Sequence, residues 1–121
     1  MPEVSDRPWS GVTRRQYASA TEFCAACLID ENPSGRPKTK TRCKLPVYEP
    51  RQMGGLLNRN AVRAAAARLV ATRGGVVAPP ELKRLAAKRL VALFAEIGET
   101  PPPSLAALAS GQARILKGPV L

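Results

Sequence analysis

A chain of 121 residues and 12.9 kDa fills one small domain, since a domain takes roughly 100 to 200 residues, and this excludes a multidomain enzyme. Alanine supplies 19 of the apolar residues and only five residues are aromatic, so core volume is scarce and much of the chain needs a neighbour to lie against. Nineteen Lys and Arg face nine Asp and Glu for a formal charge of +10, which points to a polyanionic or acidic-surfaced partner. The lack of histidine removes the commonest general base and the usual imidazole metal ligand.

No run of residues reaches the roughly 18 to 20 apolar positions of a membrane span. The opening MPEVSDRPWSGV lacks the basic-then-apolar order of a secretory signal. Synthesis in a cytoplasm is the expectation, with no membrane partner.

In chain order, residues 1–18 carry scattered prolines and charges with no sustained period, and read as an extended N-terminal arm. The stretch SATEFCAACLID follows. Ser19 and Glu22 fit a capping box and Phe23, Ala26 and Cys27 recur at helical spacing, so a short helix is expected over about 20–29, ending before Asn32-Pro33. Residues 31–57 form a basic loop with four prolines. Within it, Arg36, Lys38, Lys40, Arg42 and Lys44 alternate with other residues, and an extended backbone would project all five together as a cationic ribbon. The bland alternative is a solvated loop.

Asn58 is placed to cap a helix over about 59–73, whose Val62, Ala65, Ala66, Leu69 and Val70 form one apolar stripe and which Gly74-Gly75 ends. Pro79-Pro80 and Glu81 suit the start of a second helix over about 80–97, with Leu82, Leu85, Ala86, Leu90, Leu93, Phe94 and Ile97 on one face. The seven-residue connection GGVVAPP suggests an antiparallel hairpin of the two. A Pro-rich C-terminal arm, 99–121, carries a short helix after Ser104. The expected fold is therefore mainly α: a small helical domain over 19–98, built on an antiparallel hairpin and a short N-terminal helix, with extended Pro-rich arms and little or no β.

Between Arg36 and Arg89, 14 bases face two acids, a local net of +12. The candidate contacts to a partner or polyanion are the five ribbon bases with Arg59, Arg63, Lys83, Arg84, Lys88 and Arg89, which lie mostly off the apolar stripes; solvated helix faces would look the same. Trp9, Tyr17, Leu105, Leu108, Ile115 and Leu116 are candidate arm anchors, to be ordered on a partner. Cys24, Cys27 and Cys43 are weak metal-ligand candidates, with Asp30 or Glu31 as a fourth group. Any disulfide among the three leaves one cysteine over. No phosphate loop, acid pair or nucleophile with a base is visible. No catalytic residue and no cofactor is expected, and the chain is read as a non-enzyme.

The segments ACLID (26–30), KLPVYEP (44–50), LNRNAVRAAAARL (57–69) and RGGVVAPPELKRLAAKRLVALFAEIGE followed by PPPSL carry a resemblance over about Tyr17 to Leu105. Together they resemble a small helical domain of unassigned activity found in tailed-bacteriophage and prophage proteins, often near prohead protease and capsid genes. Pro46, Asn58 and Asn60 occupy the places of its cap segment; Cys24, Cys43 and the inserted RQMGG depart from its pattern and weaken a metal-based account for the family. The resemblance implies a structural virion role: a minor capsid or decoration protein, made in the bacterial host cytoplasm, binding the major capsid protein, other virion proteins or copies of itself. The alternative is a nucleic-acid-binding module that contacts phosphates without reading sequence.

Overall fold

The computed structural model describes residues 3–71 and 73–111. It comprises two compact units, Met1–Ala65 and Ala66–Leu121.

In the first unit, Val4–Ser5 (β1) runs parallel to Leu57–Asn58 (β4), with Val4 opposite Leu57 and Ser5 opposite Asn58. Single 3-10 turns at Trp9–Gly11 and Arg14–Gln16 lead to the helix Ala20–Ala26 (α1). Ser19 caps α1 by accepting the Glu22 N–H at 3.1 Å, while the Glu22 carboxylate accepts the Ala18 N–H at 3.1 Å. The Ser19 cap satisfies one of the donors that a helix start leaves over, and the Glu22 bond ties the residue before the cap to the first turn. Cys27–Asp30 (β2) then pairs antiparallel with Cys43–Pro46 (β3), Cys27 facing Pro46 and Asp30 facing Cys43. The strand order continues through backbone bonds from the Val47 N–H to the Ala26 carbonyl and from the Asn58 N–H to the Val47 carbonyl, both 2.9 Å. Tyr17, Phe23, Cys24, Ala26, Cys27 and Cys43 form a buried cluster, in which the Tyr17 and Phe23 rings meet edge to face at 5.0 Å.

The helix Arg59–Val70 (α2) starts in the first unit, and Asn58 caps it by accepting the Ala61 N–H at 2.8 Å. The Asn58 side-chain amide donates to the Glu49 carboxylate at 2.8 Å and to the Arg7 carbonyl at 2.9 Å. Asn58 and Glu49 are the two buried polar residues of the described chain, and burial without partners would cost each of them heavily.

In the second unit, the Val76 N–H reaches the Arg68 carbonyl at 3.0 Å, closing the end of α2. Gly75 permits this approach, because a Cβ there would meet the Arg68 carbonyl oxygen at 2.6 Å. Pro80–Glu96 (α3) begins on Pro80 with Glu81 in its first turn and ends at Gly98, which takes φ 76°. The Gly98 N–H bonds Ala95 and the Glu99 N–H bonds Phe94, so a Schellman closure satisfies the last carbonyls. Pro103–Ser110 (α4) packs against α3 and buries Leu105 completely and Ala109 almost so.

Three expectations are corrected. The fold is mixed α/β, with 12% strand beside 52% helix, and not a helical hairpin with little β. The first helix stops at Ala26: Cys27, Leu28 and Ile29 are all buried in a strand, and a short apolar run of this kind suits a buried strand as well as a helix turn. The helix packed most extensively on α3 is α4, not α2, because Gly98 and the prolines 101–103 turn the chain back within a few residues.

Replacing Asn58 by Ala removes a cap, worth about 1 kcal/mol, and strips a hydrogen-bond donor from a buried carboxylate, worth about 1–3 kcal/mol. Urea unfolding should therefore show a loss of about 3 kcal/mol for Asn58→Ala, and less than about 1 kcal/mol for half-exposed Asn60→Ala, whose bonds lie nearer the surface.

Candidate functional site

The basic loop does not form a ribbon. Lys40–Arg42 is a 3-10 turn, which breaks the alternation that an extended backbone needs. Three of its five bases are drawn into the first unit. Lys38 pairs with Asp30, Lys44 pairs with Glu31 at 2.7 Å, and Lys40 donates to the carbonyls of Arg14 and Tyr17 at 3.0 and 2.7 Å. Arg36 and Arg42 are exposed. Lys40 thus ties the segment read as an N-terminal arm to the β2–β3 connection. Arg59 likewise meets Asp6 at 2.7 Å, and Arg63 donates to the Asn60 side chain at 3.4 Å.

The remaining predicted contacts sit together on α3. Glu81, Arg84, Leu85, Lys88, Arg89, Ala92, Ala95 and Glu96 are all exposed, while Ala86, Ala87, Leu90, Leu93 and Phe94 are buried. Residues three and four apart share a helix face, so Arg84 and Lys88 form one row and Leu85 and Arg89 the next. Lys83 is half-buried beside them. Leu85 is 55% exposed, one of two large apolar side chains among the described residues to stand so far into solvent, with Val77. The outward face of α3 is therefore cationic at its centre, with a leucine set among the charges.

Of the candidate anchors, Tyr17 is buried and gives its hydroxyl to the Tyr48 carbonyl, Trp9 is half-buried, Leu105 is fully buried and Leu108 half-buried. Tyr17 and Leu105 are core residues of their own units. Ile115 and Leu116 lie outside the described residues.

Cys24 and Cys43 form a disulfide across 19 residues. Asp30 stands beside them: one carboxylate oxygen and the two sulfurs all lie within 4.8 Å of one another. Cys27 is buried outside the bond. Asn32 organises this corner, its amide nitrogen 3.5 and 3.2 Å from the Cys24 and Cys43 sulfurs and 2.8 Å from Asp30 Oδ1, while its carbonyl oxygen accepts the Thr39 N–H at 2.8 Å. Burial would raise the Asp30 pKa, but the Lys38 ammonium and the Asn32 donors outweigh it and hold the carboxyl below its usual range. Burial pushes the Cys27 thiol up to about 12, with the Asp30 charge adding to the effect. Burial also raises Tyr17, helped by the charges at Cys27, Glu22 and Glu49. The Glu22 carboxyl is lowered, chiefly by the Arg51 N–H that it accepts.

Sequence reasoning named the three cysteines and Asp30 but overlooked Asn32. Its only local signal is its place before Pro33, where a short amide side chain favours a turn. Asn58 was legible as a cap, but its partnership with Glu49 was not. No protein-family model matches the chain, and no curated protein or solved structure does either.

Opening the disulfide with a thiol reductant, or replacing Cys24 and Cys43 by Ala together, should cost about 3 kcal/mol in urea unfolding, the chain-entropy value for a closed loop of this length. A change below about 1 kcal/mol would show that the loop is held by its hydrogen bonds instead. A pH effect follows from Cys27 and Tyr17. Both hold their protons more tightly folded than unfolded, so stability falls as pH rises past the ordinary thiol value of 9.0, where the unfolded chain releases a proton that the folded chain keeps. Urea midpoints measured through the alkaline range should drop, and Cys27→Ala should flatten the first part of that slope.

Proposed function

We propose that this chain is a structural protein of a phage virion, a minor capsid or decoration protein that adheres to an acidic shell surface through the outward face of α3. The observation that carries this reading is the set Arg84, Lys88 and Arg89 around exposed Leu85. Long-range charge steers encounter with an anionic surface and fixes register, while an apolar side chain at the centre of a polar patch supplies burial on contact. A phosphate backbone offers nothing for Leu85 to cover. The mixed face therefore suits an acidic protein surface better than nucleic acid. The family resemblance supplies the setting, and the charge of +10 suits a negatively charged shell.

The reading differs from a phosphate-binding module in what its variants do. On purified shells, Arg84→Glu with Lys88→Glu should weaken binding by about tenfold or more, with the loss carried partly in the on-rate and its salt dependence. Leu85→Ser should weaken attachment to shells while leaving any retardation of random-sequence duplex unchanged. A chain that ignores shells but retards duplex, with log affinity falling steeply against log salt, would replace this reading by the nucleic-acid one.

A further inference from the structure

The corner where α1, β2 and β3 meet holds two sulfurs and a carboxylate in one place, and neither the fold nor the proposed adhesion uses them as a set. We infer that, once its disulfide is reduced, this corner binds a thiophilic divalent ion such as Zn2+ through Cys24, Cys43 and Asp30. Four features support the assignment. The three ligand atoms come from separate elements, α1, β3 and the end of β2, yet lie within 4.8 Å of one another. The Cα atoms of the cysteines are 5.3 Å apart, so the sulfurs can part to either side of an ion with small side-chain rotations. Two thiolates with a carboxylate are a donor set that zinc accepts, and three protein ligands leave a fourth position for water. Asn32 already donates toward both sulfurs and to Asp30, the outer-shell arrangement that orients ligands and stabilises thiolate charge.

The chemistry balances. A dithiol reductant transfers two electrons and two protons to the Cys24–Cys43 bond and is itself oxidised to a disulfide; the two new thiols release two protons as they bind the ion. Disulfide and metal therefore exclude one another, and the same cross-link between α1 and β3 is kept in either state. Cys27 is not part of the set: it is buried in the first position of β2, and the sulfurs that meet Asp30 are those of Cys24 and Cys43.

The full-length chain, reduced with a dithiol that is then removed without air, is titrated with Co2+ as the optical probe and challenged with Zn2+. Stoichiometric thiolate-to-cobalt charge-transfer absorption, with the visible bands of a four-coordinate ion and loss of both on adding zinc, is expected for the natural chain and for Cys27→Ala. Asp30→Ala should weaken the affinity by about tenfold or more, and Asn32→Ala by about tenfold. The oxidised chain should show no band. Absence of charge-transfer absorption in the reduced natural chain would overturn the assignment, as would its disappearance in Cys27→Ala or an affinity unmoved by Asp30→Ala.

Discussion

Asn58 is the residue on which the first unit turns. Its backbone N–H joins Val47, its side-chain oxygen caps α2, and its side-chain amide hydrogens go to Glu49 and to the Arg7 carbonyl. One buried residue thus joins a strand through its backbone and holds a helix start and the N-terminal segment through its side chain. The constraint is strict, because a fully buried amide leaves no water to take over a missing bond. Glu49, also buried, is held in turn by Arg7 at 3.5 Å.

The same economy governs the basic residues. A count of charges along the chain treats all of them as available to a partner, but the folded protein uses several internally. Lys40 closes the carbonyl end of a 3-10 turn, Lys38 and Lys44 pair with the acids at the end of β2, and Arg59 meets Asp6. On α3, Arg84, Lys88 and Arg89 stand exposed on one face. Charge therefore has two roles here, as stitching in the first unit and as an exposed surface in the second.

How far the sequence discloses this depends on the range of the interaction. Signals confined to one turn were readable: the Ser19 cap, though not the full box with Glu22, whose carboxylate takes the Ala18 N–H, the Asn58 cap, the start of α3 at Pro80 and its end at Gly98. The strands were not, because β1 and β4 are two residues each and pair across more than fifty positions, below the window in which a period of two can be counted. Cys27 to Ile29 had the composition of either a helix turn or a buried strand, and pairing with β3 decided it. Spacing set Arg84, Lys88 and Arg89 off the apolar stripe of α3, but it counted Leu85 on that stripe, where the structure leaves Leu85 55% exposed and buries Ala87 instead. Of the corner, Cys24, Cys43 and Asp30 were legible only within a longer list of candidates and Asn32 was not legible as a member, since the fold of the β2–β3 connection brings them together.

The proposal on which the functional account rests is adhesion to an acidic protein surface within a particle. Quantitative mass spectrometry of purified virions, from a host lysate that contains the chain, tests it most directly. The account predicts the protein in particles that have been washed at low salt, at a fixed ratio to the major shell protein, with release as salt is raised. Its absence from such particles, with the chain recovered instead in the soluble or nucleic-acid fraction of the lysate, would contradict it.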